Sequence, residues 1–268
     1  MDEAEKQGIK VVGHVPDTVY LEDAVTVGQS SIEHWFGFQK VIANLLGEPV
    51  DLNHGWMSSG ADYLIRIGEV DPQALHDFYQ RLEKSGVTIV PTVVTFRNLP
   101  NVDKLELQNL PHGEYISTDL FSMWKAQWAG QTEMPDAMWQ SWAQMARQMN
   151  EAGIPLMVGT DLICPGLVPG YSVHEEMLIW QEAGIPPADI LRSATLIPAQ
   201  FMELGDRLGS ISEGKTASMI MVRANPLEDI RNAQQIESVF LRGQYFSRAD
   251  LDGLLDEAKV LAQPAGIP

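Results

Sequence analysis

Hydrophobic positions along the chain fall into short runs separated by amphipathic stretches, and this rhythm predicts alternating strands and helices. "MDEAEKQG" opens as one or two helical turns with a glycine stop. Ile9, Val11 and Val12 then run into Gly13 and His14, predicting a buried strand over 9–15. Val19–Gly28 reads as a helix closed by its glycine, and "SSIEHW" as a second strand ending on His34. Residues 36–70 are less regular, and "GEPVDLNHGWMSSG" carries the turn formers of a loop. Pro72–Ser85 is a helix with Asp71 as N-cap and Gly86 as its stop. "VTIVPTVVT" (87–95) is rich in β-branched residues and reads as the clearest strand. A Trp- and Met-rich insertion follows, then a helix over Pro135–Ala152 ending at Gly153. "IPLMVGTD" is a fourth strand, ending on Asp161. Helices are expected from about His174 to Ala183, over 187–194 and over 196–204.

Repeated strand, helix, strand units with buried strands imply an α/β fold with a parallel sheet and helical crossovers. The tail changes character. "GSISEGKTASMIMV" and "IESVFLRGQYF" read as short strands of a small antiparallel piece, with "ANPLEDI" turning between them. There is no repeat of fixed period and no low-complexity segment.

The 268 residues suffice for one large domain, or one domain with a smaller appendage. The formal net charge of −18 repels nucleic acid and anionic membrane surfaces, so neither is expected as a partner. A single cysteine, Cys164, rules out an internal disulfide. No signal-peptide pattern opens the chain and no apolar run is long enough to span a membrane, so a cytoplasmic location is expected. If the chain is truncated, an upstream signal would lie outside it.

The candidate chemistry sits at the strand ends. His14 and His34 are one strand, helix, strand unit apart, and neighbouring parallel strands lie ~4.8 Å apart. Two imidazoles placed so can reach one metal ion at about 2.0–2.1 Å. Each histidine alone reads equally as a satisfied, partly buried side chain. Asp161 closes "LMVGTD", where a carboxylate can bind an ion and accept a proton from an attacking water. Its alternative is the N-cap of a following helix. In a flat sheet His14 and Asp161 would stand about 14 Å apart, so a common site requires the sheet to curl into a barrel.

His174, in "YSVHEEM", is either a first-turn helix residue beside Glu175 and Glu176 or a group facing substrate. His54 could line the mouth from its loop, whereas His76 and His112 read as surface residues. Trp124, Trp128, Trp139, Trp142, Met145 and Met149 read as amphipathic helix packing, with a roof over an apolar pocket as the alternative. Phosphate-binding glycine loops and the GxSxG elbow are absent. Cys164 has no basic neighbour to activate it as a nucleophile.

"GIKVVGH…GQSSIEHW", "AGIPLMVGTD…PGLVPGYSVHEEM…ATLIPAQFMELGDRLGSISEGK" and "NPLEDI…IESVFLRGQYF" together resemble the C-terminal half of the amidohydrolase superfamily. The branch they are most similar to is the imidazolonepropionase-like and prolidase-like metal-dependent hydrolases. The resemblance spans nearly the whole chain except about 36–70 and 96–140. It implies a TIM-type (β/α) barrel, with His14 ending the fifth strand, His34 the sixth and Asp161 the eighth. His14, His34 and Asp161 become metal ligands, Asp161 also the proton shuttle, and His174 a structural or substrate-facing histidine. Ser218 stands where the family usually carries an acid, with turn geometry as the expected consequence.

The family's HxH motif and its fourth-strand lysine or glutamate have no counterpart here. The expectation is therefore a partial barrel of about four βα units over 1–206, with a sandwich remnant and C-terminal helix over 207–268. One divalent metal, zinc, is expected, the second site being lost. Closure of the barrel is expected from a second copy, as a homodimer, or from a separate N-terminal half. The implied function is a metal-dependent hydrolase cleaving an amide, cyclic amide or ester bond in a small-molecule or peptide-like substrate, with Asp161 as general base and His174 assisting. The alternative is a catalytically weak or silent barrel half serving as an oligomerising or binding module.

Overall fold

The structure is a computed structural model that describes residues 2–49, 61–128, 130 and 136–263. In chain order its α-helices are α1 (Asp2–Gln7), α2 (Leu21–Thr26), α3 (Phe38–Leu45), α4 (Ala61–Ile65), α5 (Pro72–Ser85) and α6 (Val93–Asn98). They continue with α7 (Thr118–Trp128), α8 (Asp136–Glu151), α9 (Ser172–Glu182), α10 (Pro187–Ala194), α11 (Leu196–Phe201) and α12 (Arg248–Ala262). The strands are β1 (Ser31–Glu33), β2 (Thr88–Val90), β3 (Met219–Val222), β4 (Ile236–Leu241) and β5 (Gln244–Phe246). Two compact units emerge: Met1–Val93 with Met134–Gly159, and Val94–Glu133 with Thr160–Pro268. No described helix is long and apolar enough to cross a membrane.

The first unit is built on parallel pairing. β1 and β2 pair in register from Ser31 opposite Thr88 to Glu33 opposite Val90. Val11 bridges Gln29 on one side and Leu156 bridges Ile89 on the other, both parallel. Four extended segments therefore lie side by side in chain order, the arrangement that short βαβ connections impose. The expected strands at 9–15 and "IPLMVGTD" are reduced to these single bridges. The Gln29 amide stitches the edge, donating to Gly13 O at 2.8 Å and Ser31 O at 3.0 Å. On α5, Asp71 accepts from Ala74 N and Gly86 closes the helix at φ 73°, the punctuation expected from the sequence. Trp142, Met145 and Met149 of α8 are fully buried, so they form core rather than a pocket roof.

β2 is shorter than the β-branched run predicts. It stops at Val90, and Val93, Val94 and Thr95 belong to α6. Pro91 has no N–H to continue the ladder. The first turn of α6 is then held from elsewhere within the second unit. Glu176 Oε2 accepts from Val94 N at 2.6 Å, and Thr95 Oγ1 donates to Thr160 O at 2.6 Å. Tertiary hydrogen bonds override a local strand preference here. The irregular 36–70 region also contains a helix, α3, whose approach depends on Gly37. A Cβ there would meet Leu21 Cβ at 3.1 Å and Val15 Cβ at 3.2 Å.

In the second unit β3, β4 and β5 form an antiparallel sheet in that order. The β4–β5 hairpin turns at Arg242 and Gly243, both with positive φ (51° and 84°), as a two-residue hairpin requires. Ser218 Oγ accepts from Arg242 N at 3.1 Å, so this serine steadies the turn. Ser247 and Asp250 form a capping box that starts α12. Ile116, Trp124 and Val168 make a separate core cluster, with Trp124 Nε1 donating to Ile163 O at 2.7 Å.

Candidate active site

His34 follows the last residue of β1, and its backbone N–H donates to Val90 O at 2.8 Å, fixing it beside the end of β2. Its φ of 60° is in the left-handed region, an uncommon place for a non-glycine residue and one that collects at functional sites. Thr92 and Asp161, just past the next two extended segments, share this conformation at φ 49° and 54°. The His34 ring is buried, with Nδ1 in a short hydrogen bond to Thr92 Oγ1.

His14 is exposed and lies over Phe36, the rings stacked at 3.9 Å and 4°. The His14 and His34 ring centroids are 4.9 Å apart with planes tilted by 56°. The two histidines expected to share an ion are thus side by side, one braced by an aromatic face and the other by a hydroxyl. Two imidazoles suit zinc but make only half of a tetrahedral set. Among the described residues no group of three or more His, Cys, Asp or Glu side chains is placed to hold a metal ion.

Asp161 and His174 belong to the second unit. No α-helix begins directly after Asp161, so it is not an N-cap, and the next described helix is α9. The segment turns instead, with Cys164 N donating to Asp161 O at 3.2 Å. Cys164 Sγ donates to Asp161 Oδ2 at 3.1 Å. Burial, followed by Asp161, pushes the Cys164 thiol up to about 12, so it remains a protonated donor.

His174 is half-buried on α9, and its Nδ1 is enclosed without a hydrogen-bond partner among the described residues. It lines a cavity of about 460 Å³ within the second unit, together with Tyr171, Arg248, Leu251 and Leu255. His112, read from the sequence as a surface residue, is exposed but stacks on Tyr171 at 3.6 Å and also lines this cavity. His76 is exposed on α5, and His54 lies outside the described residues.

Burial holds His174 below its ordinary value of 6.5. Above that pH both folded and unfolded chains carry it neutral. Below it the unfolded chain binds a proton that the folded chain refuses, so stability falls as pH falls through 6.5 toward the depressed folded value. Replacing His174 with Phe is expected to flatten this acid-side loss. Urea midpoints at about pH 7.5 and about pH 5.5 read it directly.

Phe36 and Thr92 have no motif in the sequence. Phe36 stands two residues past His34, and Thr92 follows the proline that ends β2. The position of Thr92 is the one signal that could have marked it, because residues just beyond strand ends face the mouth of α/β folds.

The amidohydrolase family profile matches residues 1–245. The chain belongs to the amidohydrolase family. Among solved structures it is similar to a bottromycin amidohydrolase, with 23% identity and a TM-score of 0.70, over 97% of this chain and 55% of that one. It is also similar to a Xaa-Pro dipeptidase with methionine bound in its active site, at 20% identity and TM-score 0.53, over 92% of this chain and 47% of the other. A third is a prolidase complexed with N-methylphosphonate-L-proline, at 23% identity and TM-score 0.52, over 92% and 47%. At these identities the likeness shows the fold. This amidohydrolase chain spans about half the length of the solved structures it matches. No curated protein matches it.

Proposed function

We propose that the chain carries the His14–His34 half of a metal-dependent hydrolase that cleaves amide bonds. The observation behind this reading is the pair of imidazoles 4.9 Å apart at the ends of adjacent parallel segments. Zinc, as one ion, suits a donor set of two histidines. When bound, such an ion supplies Lewis-acid activation of water and of the scissile carbonyl. His14 and His34 would hold it, and Asp161, which closes the run "LMVGTD" in the sequence, would serve as the further ligand and as the base for water. Nδ1 of His174, without a partner among the described residues, would be offered to a polar group of the substrate from the cavity of the second unit. Cyclic amides and esters are alternative bonds for the same chemistry, on a small-molecule or peptide-like substrate.

This reading takes 1–206 as part of a TIM-type barrel and 207–268 as a sandwich remnant with its C-terminal helix. The four side-by-side parallel segments and the antiparallel β3–β5 sheet support it. Ile9 and Val12, beside the edge bridge at Val11, are 64% and 54% exposed, which favours a further strand covering that edge. A second copy of the chain or a separate N-terminal half would provide it. A second reading, a weak or silent barrel half acting as a binding module, is favoured by the absence of a three-ligand cluster among the described residues. A panel of dipeptides and N-acyl amino acids separates the two. Hydrolysis that a chelator abolishes and zinc restores is the expected result; no turnover at any zinc concentration supports the binding module.

A further inference from the structure

We propose that Thr92 is a positioning residue that sets the tautomer of His34, accepting its Nδ1–H so that Nε2 presents a lone pair for a metal ion. The inference rests on the reading of His34 as a ligand and extends it to a residue that no motif marks. A neutral imidazole carries one proton, and a threonine hydroxyl both donates and accepts. Two arrangements therefore satisfy the His34 Nδ1–Thr92 Oγ1 contact. If the hydroxyl donates, the imidazole proton sits on Nε2 and blocks it as a ligand. If Nδ1–H donates, Nε2 carries no proton and keeps its lone pair. Histidines that bind metals almost always give their second N–H to such a partner, which fixes ring orientation and tautomer together.

The fold invests in this contact from both sides. Thr92 is 2% exposed and His34 7%, so the hydrogen bond is shielded from competing water. Both residues adopt left-handed backbone conformations, at φ 49° and 60°. For β-branched Thr92 that conformation is unfavourable and persists only where surrounding structure enforces it. Here His34 is tied to Val90 O through its own N–H, which sets its ring against the residue two positions beyond. Gly159 permits the approach on the other side. A Cβ at 159 would fall 2.5 Å from Val90 Cγ1 and 3.5 Å from Thr92 Cγ2. The His34 ring then has one edge on Thr92, while its plane tilts against His14, the other proposed ligand.

The test is nitrogen NMR of the imidazoles in the metal-free chain, paired with zinc titration of wild type, Thr92→Ser and Thr92→Val. His34 is expected as the Nδ1–H tautomer in wild type and Thr92→Ser, and to lose that preference in Thr92→Val. Zinc affinity is expected to fall about 10–100-fold in Thr92→Val and to recover in Thr92→Ser. A purely structural role for Thr92 would change stability and leave the tautomer where it was. An Nε2–H tautomer of His34 in the wild-type chain overturns the proposal, and this reading stands even if Thr92→Val fails to fold. Wild-type zinc affinity in a folded Thr92→Val overturns it as well. A wild-type chain that binds no zinc overturns the metal reading itself, and with it the purpose assigned to Thr92; the tautomer measurement keeps the two failures apart.

Discussion

Asp161→Asn is expected to lower kcat for amide hydrolysis by about 10²–10⁴-fold, the usual contribution of a positioned general base. Asparagine keeps the size of the side chain and an oxygen that can accept from Cys164 Sγ, so the turn after Asp161 should survive. What it loses is the ability to take a proton. On the proposed mechanism KM changes little, because the carboxylate acts on water and not on the body of the substrate. The left-handed backbone at Asp161, φ 54°, is tolerated well by asparagine, which removes misfolding as a competing explanation. Steady-state kinetics at saturating zinc measure the change, so that weaker metal binding by the asparagine is not read as a lost base. Retention of kcat within a few fold would remove Asp161 from the base role and leave it a turn residue held by Cys164.

Glu176→Ala is expected to destabilise the chain by about 2–6 kcal/mol, from two buried donors at roughly 1–3 kcal/mol each. The Glu176 carboxyl is fully buried on α9. One oxygen accepts from Val94 N at 2.6 Å and the other from Trp180 Nε1 at 2.8 Å. Truncation orphans both donors and opens a cavity where the side chain stood. The damage would centre on α6, whose first turn depends on the Val94 bond. Glu176→Gln retains one acceptor oxygen and is expected to cost less than half as much. Denaturant titration of the three proteins gives the comparison; an Ala variant as stable as wild type would mean that water or neighbouring groups satisfy the donors instead.

Much of the frame could be read from local signals. α5 is bounded by Asp71, Pro72 and Gly86, which act within a turn of where they stand, and its ends fall where those residues place them. The histidine ending β1 was visible because a polar residue closing an apolar run stands out in sequence. The end of β2 was hidden for the opposite reason. Val93, Val94 and Thr95 have strand propensity, and what makes them helical is a carboxyl 82 positions away from Val94. Helix α3 is hidden in the sequence because the loop-like composition of 47–60 masks an amphipathic stretch just before it.

The candidate site divides in the same way. His14, His34, Asp161 and His174 were legible as residue types at meaningful places. Their environments were not. The stacking of Phe36 on His14 and the hydrogen bond of Thr92 to His34 arise from chain segments brought together only by folding. Thr92 is 58 positions from the imidazole it contacts, beyond the reach of spacing rules. The enclosed Nδ1 of His174 depends on burial within the second unit, which a helix-start pattern does not encode.

Zinc titration of the metal-free chain by calorimetry, alongside His14→Ala and His34→Ala, tests the central claim most directly. One zinc per chain is expected for wild type, with affinity reduced by more than about 100-fold in each variant, since losing a ligand should exceed the 10–100-fold cost of losing a ligand's partner. Unchanged zinc binding in both variants, or none in wild type, would contradict the assignment of His14 and His34 as the metal-holding pair.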